Sequence, residues 1–303
     1  MSGPRVFGVD YQFLSCGSVF TDGLAHAAAA LGIEYQHAEW KAANLMDRIR
    51  AFNPDLLFVT HGRRFSRQYR GQFSQYRSAI WLLDEPYEVD DTCQFSKDFG
   101  AVFVSDPSTL HRHRNAHYLP VCADPVVQFP TDAPKTAMVG FIGGGNPTRN
   151  TYLSALASAG LLTYVIGGPF VDSVQRLSRG HNIPPSQTAD WYRKTRIILN
   201  VFRWEHHYNS QKLPATSLNP RVYEAIACGA LVVSEWRPEV PRLVPDLPTF
   251  RSPEECVNQV VSLLADPERA DRIRQRCAAQ LHGETYAARL QTVLQTCGLA
   301  VAA

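Results

Sequence analysis

Short apolar runs alternate with amphipathic stretches along most of the chain. Runs at 5–10, 33–37, 56–60, 79–83 and 101–105 have the length of buried strands, and helical patterns fall among them at 22–31 and 43–52. A stretch at 124–134 with three prolines reads as a linker. The alternation then restarts, with strands at 138–142, 163–166, 197–201 and 230–234 and helices at 147–159 and 220–228. Two amphipathic helices close the chain at 253–265 and 267–295, the second broken near Gly283. Strand–helix alternation of this kind builds parallel sheets covered by helices on both faces. The pattern predicts an α/β chain of two Rossmann-like domains, 1–130 and 131–303, facing across a cleft, with the last helix packing back on the first domain. Doubly wound sheets bind ligands at the carboxyl ends of their strands. The loops that follow strands are therefore where chemistry is expected.

Composition narrows the class without deciding it. Charged residues make up 19% of 303 and hydrophobic residues 45%, an ordinary globular balance. A net charge of +2 supplies no global field toward nucleic acid or anionic lipid. No apolar run approaches 18 residues, and the first residues lack a signal-peptide pattern. The seven cysteines are odd in number and lack CxxC spacing, which suggests buried thiols in a reducing compartment. The cytoplasm is the expected location, and a monomer or homodimer the expected state.

The segment around 217–235 is the richest in signals. Asn219 suits an N-cap, Pro220 the first helical position and Gly229 the position past the helix end. Arg221 and Glu224 lie three apart on that helix. A cation in the first turn opposes the macrodipole. Either an anionic ligand sits at the same helix end, or Arg221 and Glu224 form an intrahelical pair. Gly143, Gly144 and Gly145 follow a strand, and Asn146 and Pro147 open the next helix with Arg149 in its first turn. That arrangement suits a diphosphate cradle, although it is neither GxGxxG nor a Walker loop; a tight turn is the other reading. Gly167 ends another strand at the same expected edge, and Arg203 and Lys212 add cations on the loop before Ser217.

In the first domain His61, Asp84 and Glu85 follow strands and are the candidates for handling an acceptor proton, with a helix cap or loop salt bridge as the plainer reading. Gly17 and Ser18, in the turn after the first strand, are candidate acceptor contacts. The run 61–77 carries five arginines, among them Arg63, Arg64 and Arg67, with four aromatics and no acid. Basic residues interleaved with aromatics fit a nucleic-acid acceptor; a solvated loop or an acidic-glycan surface fits as well. The histidines show no zinc-type spacing, and no metal is expected.

Five segments carry a resemblance. SLNPRVYEAIACGALVVSEW (217–236), FIGGGNPTRNTYLSAL (141–156), YLPVCADP (118–125), HGETYAARLQTVL (282–294) and WLLDEPYE (81–88) resemble motifs of the group 1-like glycosyltransferases of the spore-maturation-protein type. The resemblance implies a GT-B fold and a nucleoside-diphosphate sugar donor, UDP-sugar foremost, held in the second domain. It implies ribose binding by Glu224 and a retaining transfer that needs no further cofactor. The acceptor is left open among glycan, small molecule and nucleic acid, with modified bases of phage-type DNA as one candidate. One departure matters: the family often carries a second glutamate eight residues before the first, where this chain has Thr216. Sugar recognition then falls to Asn219 or to the backbone amides of Ser217 and Leu218. A nucleotide-sugar epimerase of the same architecture and a non-catalytic binding module remain as rival expectations.

Overall fold

A computed structural model describes residues 3–10, 18–204 and 207–300. The chain forms two compact units. The first comprises Met1–Cys122, Glu205–Ser217 and Thr285–Ala303, and the second Ala123–Trp204 and Leu218–Glu284. Two stretches beyond residue 131 thus belong with the first unit.

The first unit begins with β1 (Arg5–Asp10), α1 (Ser18–Ala30), β2 (Glu34–Glu39), α2 (Leu45–Phe52), β3 (Leu56–Thr60), α3 (Arg63–Gln68), β4 (Ser78–Leu82), α4 (Val89–Phe95), β5 (Ala101–Val104) and β6 (Ala116–Tyr118). The strands pair in parallel in the order β2-β1-β3-β4-β5-β6. The central strands β3, β4 and β5 are buried throughout, as continuous apolar runs covered on both faces should be.

The second unit follows the same logic with β7 (Ala137–Gly143), α5 (Pro147–Ser158), β8 (Leu162–Gly167), α6 (Asp172–Gln175), α7 (Pro185–Arg193), β9 (Thr195–Asn200), α8 (Pro220–Ala227), β10 (Leu231–Glu235), α9 (Val240–Leu243), β11 (Thr249–Phe250), α10 (Pro253–Ala265) and α11 (Pro267–Gln280). Its parallel sheet runs β11-β10-β9-β7-β8.

The expected closing helix is two helices. Chain at Gly283 separates α11 from α12 (Tyr286–Thr296), and the Thr285 hydroxyl caps α12 by accepting from the Ala288 amide at 3.3 Å. The last helix returns to the first unit, as anticipated. The Tyr286 ring packs edge-on to Phe20 and Trp81 at 6.2 and 6.3 Å. A side chain at Gly23 would stand 2.5 Å from that ring, so glycine is what lets α12 approach α1. Arg289 completes the dock, its Nε donating to the Pro120 carbonyl at 2.7 Å and its Nη2 to the Val121 carbonyl at 3.2 Å.

Candidate functional site

The carboxyl edge of the second sheet gathers most of the expected donor residues. Asn146 and Asn219 both precede a proline, yet only one closes its helix. Asn146 Oδ1 accepts from the Arg149 amide at 2.8 Å. Asn219 has the extended backbone of a cap, but among the described residues its side chain makes no capping bond and its buried Oδ1 has no partner. The first turn of α8 is left without a side-chain cap, an anion-accepting helix end.

Two guanidinium groups bracket one phenylalanine at this edge. Arg221 lies over the Phe141 ring at 4.8 Å and Arg149 at 5.8 Å. Arg221 Nε donates to the Ile142 carbonyl at 2.7 Å, and Nη1 to Asn200 Oδ1 at 2.6 Å. Arg149 Nε donates to the Val201 carbonyl at 3.0 Å, and Nη1 to the Gly144 carbonyl at 2.8 Å. The buried Arg221 therefore ties β7 to β9 as part of the frame. Among the described residues it makes no ion pair with Glu224, so the intrahelical pairing is not what the helix uses.

The glycine loops have distinct roles. A side chain at Gly143 would meet the Arg221 guanidinium at 2.4 Å, and one at Gly145 would fall 1.8 Å from the Pro169 carbonyl oxygen. These two glycines make room for the protein itself. At Gly144 the nearest atoms, the Gly168 oxygen and Arg149 Nη1, stand 3.8 and 3.9 Å away, which leaves space for a ligand. Gly167 is the register partner of Gly143 on the neighbouring strand.

Glu224 sits one turn into α8, buried, its carboxylate accepting from the Tyr192 hydroxyl at 3.5 Å. Burial pushes its carboxyl up to about 7, against the opposing pull of Arg221 and of the Tyr192 hydrogen bond. A carboxyl so placed can accept from or donate to a ligand hydroxyl near neutral pH.

The loop ahead of α8 corrects one expectation. The Ser217 amide donates to Asp106 Oδ2 at 2.9 Å and the Leu218 amide to Glu239 Oε2 at 2.7 Å, so neither is open to a sugar. Asp106 also takes the Thr216 amide at 2.7 Å and the Thr216 hydroxyl at 2.6 Å. Ser217 Oγ is buried and has no partner among the described residues. Ser217 and the exposed Lys212 belong to the first unit, whereas Leu218 and the half-buried Arg203 belong to the second.

In the first unit, His61 and Asp84 come together at the ends of β3 and β4. His61 Nδ1 is 4.0 Å from Asp84 Oδ2, and Nε2 is 3.8 Å from Glu88 Oε2. The donor atoms of these three residues lie within 4.8 Å of one another. His61 holds a positive φ of 63°, uncommon outside glycine and found where a site over-determines its backbone. Glu85 departs from expectation: its side chain is fully enclosed, accepts from the Thr92 hydroxyl at 2.5 Å and faces His113 Nε2 at 3.7 Å. It braces α4 and is closed to an acceptor.

Part of the arginine run folds into α3, and acids in and beside α4 neutralise three of its five arginines. Arg63 pairs with Glu88 at 2.8 Å and Asp91 at 2.5 Å, Arg67 with Asp91 at 2.8 Å, and Arg70 with Asp98 at 3.1 Å. These acids come from 20 or more residues away, beyond what a reading of the run itself reveals. Arg64 is exposed and, among the described residues, without an ion pair. Ser18 is the first residue of α1, and Gly17 lies outside the described residues.

No helix of the described residues is long and apolar enough to cross a membrane. Residues 149–295 match the family model described as "Glycosyl transferase-like". No curated protein sequence matches the chain. Among solved structures, the chain is similar to an alpha-glucosyltransferase in complex with UDP and a 13-mer DNA containing a HMU base: TM-score 0.69 at 11% identity, over 98% of this chain and 100% of that one. It is similar to T4 phage BGT in complex with its UDP-glucose substrate, TM-score 0.64 at 11% identity over 97% of this chain and 100% of that one. A putative UDP-N-acetylglucosamine 2-epimerase from Listeria monocytogenes shares the fold at TM-score 0.55 and 10% identity, over 97% of this chain and 96% of that one. At such identities the likeness is one of fold. Over residues 149–295 the chain is similar to the glycosyl transferase-like family, and its two parallel sheets share the GT-B fold of these structures.

Proposed function

We propose that the chain is a glycosyltransferase that moves a sugar from a nucleoside-diphosphate sugar, UDP-sugar first, to a hydroxyl acceptor. The observation that carries this reading is the pair of guanidinium groups of Arg149 and Arg221 around Phe141, beside the uncapped start of α8 and within the family-matched segment. Breaking the anomeric C–O bond develops charge on the departing diphosphate. Fixed cations and helix amides stabilise that charge more in the transition state than before it, and they need no reorganisation to do so. Arg149, the space over Gly144 and the first turns of α5 and α8 are assigned to the diphosphate. Arg221 is assigned to holding the edge rigid, and Glu224 to the ribose hydroxyls.

The first unit is assigned to the acceptor, with His61 and Asp84 as the groups that manage its proton, and retention as the outcome. A hydroxyl on a modified DNA base is the acceptor to test first. The fold likeness to a glucosyltransferase bound to UDP and HMU-containing DNA supports it, as does the exposed Arg64, three residues past His61, which carries no ion pair among the described residues. Free arginines are what a phosphate backbone would recruit.

The test is mass spectrometry of UDP-glucose incubated with the purified protein, with and without duplex DNA carrying hydroxymethyluracil. A hexose added to the DNA with release of UDP is expected. A new epimer formed from the donor alone would replace this reading with the epimerase. An intact donor, across a panel of nucleoside-diphosphate sugars that also fail to raise the melting temperature, would remove both.

A further inference from the structure

Trp204 is an exposed aromatic held as firmly as a core residue. Its ring is 52% exposed, yet three groups fix it. Its indole Nε1 donates to Glu235 Oε1 at 3.0 Å. The same carboxylate is buried at the end of β10, and its other oxygen accepts from the Phe202 amide at 3.0 Å, so the backbone leading to the ring is tied as well. The Arg237 guanidinium, only 3% exposed, lies 4.2 Å from the Phe202 ring and 5.0 Å from the Trp204 ring. An exposed tryptophan with no task would gain little from a buried carboxylate and a buried cation. Holding both groups in the interior costs desolvation, while fixing the ring removes the ordering entropy a ligand would otherwise meet.

The place of the ring says what it would meet. Trp204 follows β9, and β9 pairs with β10 through Asn200 and Ser234 at the carboxyl edge of the sheet. Asn200 and Val201, a few residues earlier on the same segment, are the groups that Arg221 and Arg149 grip. With Nε1 already bonded, the ring keeps its apolar π-face and no free donor. Such a surface recognises a flat ring by stacking and tolerates any hydrogen-bonding pattern on its rim.

We propose that Trp204 is the stacking platform for the nucleobase of the donor. The proposal rests on the donor reading above and adds to it the group that holds the base, separate from those that hold ribose and diphosphate. Trp204 is a binding and specificity residue: it takes a planar base and has no part in bond breaking.

The experiment is equilibrium binding of UDP and of inorganic pyrophosphate to the wild type, Trp204→Ala and Trp204→Phe, followed by intrinsic fluorescence or dialysis. Trp204→Ala should bind UDP about tenfold or more weakly, the usual effect of deleting a base-stacking ring. Trp204→Phe should recover part of that loss, and pyrophosphate should bind all three proteins alike. Both variants lose the hydrogen bond to the buried Glu235 and should melt a few degrees below wild type, so binding is compared at a temperature where all three proteins are folded. Equal UDP affinity in wild type and Trp204→Ala overturns the proposal and leaves the donor reading standing. Intact UDP binding with a lost affinity for single-stranded DNA gives the ring to an acceptor base instead and also overturns it. A wild type that binds no UDP at all defeats the donor reading itself.

Discussion

Arg221 reaches from the first turn of α8 to the last carbonyls of β7, its Nε donating to Ile142 at 2.7 Å. A cation against the positive end of a helix is unfavourable by itself. It is retained here because the guanidinium joins three elements, with Asn200 on β9 as its other partner at 2.6 Å. Lysine cannot reproduce that fork. Arg221→Lys is expected to lose about 2–3 kcal/mol of stability in denaturant unfolding, the effect of leaving buried acceptors unpaired. A change under about 0.5 kcal/mol would show that the bonds do not hold the edge.

Glu224 should make stability depend on pH. Its folded carboxyl titrates at about 7 against an ordinary value of 4.5, so between those values the folded protein holds a proton that the unfolded chain has released. Stability from this group is complete below pH 4.5 and falls as pH rises toward 7. Glu224→Gln stays neutral throughout. It should match wild type near pH 4.5 and exceed it above pH 7, by on the order of 3 kcal/mol. Melting curves of both proteins across that range check this, and parallel curves would contradict it.

Gly144 and Gly145 separate ligand space from protein space. Gly145→Ala would drive its new carbon into the Pro169 carbonyl, and a loss of about 1–3 kcal/mol is expected. Gly144→Ala meets no atom closer than 3.8 Å, so it should melt near wild type while binding UDP more weakly. Unchanged UDP affinity in Gly144→Ala would place the diphosphate elsewhere.

Asp84 and Glu85 are neighbours with opposite expected phenotypes. Asp84 is partly open beside His61, so Asp84→Asn should fold normally and lose transfer while keeping UDP binding. Glu85 is enclosed against Thr92 and His113, and Glu85→Ala should lower the melting temperature by several degrees. Unfolding and activity measured together on both variants distinguish the roles. A fully active Asp84→Asn would remove that residue from the acceptor chemistry.

Much of this was legible in the chain. The two sheets followed from the alternation of apolar runs and helical periods, and α8 was bounded by Asn219, Pro220 and Gly229, with Gly229 in the left-handed region at φ 75° just past its end. The return of the last helix to the first unit was anticipated as part of the expected fold. Long-range polar contacts were not legible. Nothing local to Arg63, Arg67 and Arg70 announces that Glu88, Asp91 and Asp98 neutralise them, because the pairing depends on the segment around α3 packing beside the segment around α4. The Ser217 and Leu218 amides looked open for the same reason: their acceptors, Asp106 and Glu239, lie far off in sequence. The brace of Glu235 and Arg237 on Trp204 likewise exists only once β9 and β10 are side by side.

The claim on which the account turns is that the second unit holds a nucleoside diphosphate through Glu224 and the Arg149 edge. Calorimetric titration with UDP of the wild type and of Glu224→Ala, each first shown to be folded by its melting transition, addresses it most directly. The account predicts one saturable site in the wild type and a loss of affinity of at least tenfold in the variant, the scale of removing a charged hydrogen-bonding partner. Absence of UDP binding in the wild type, or equal binding by both proteins, would contradict it.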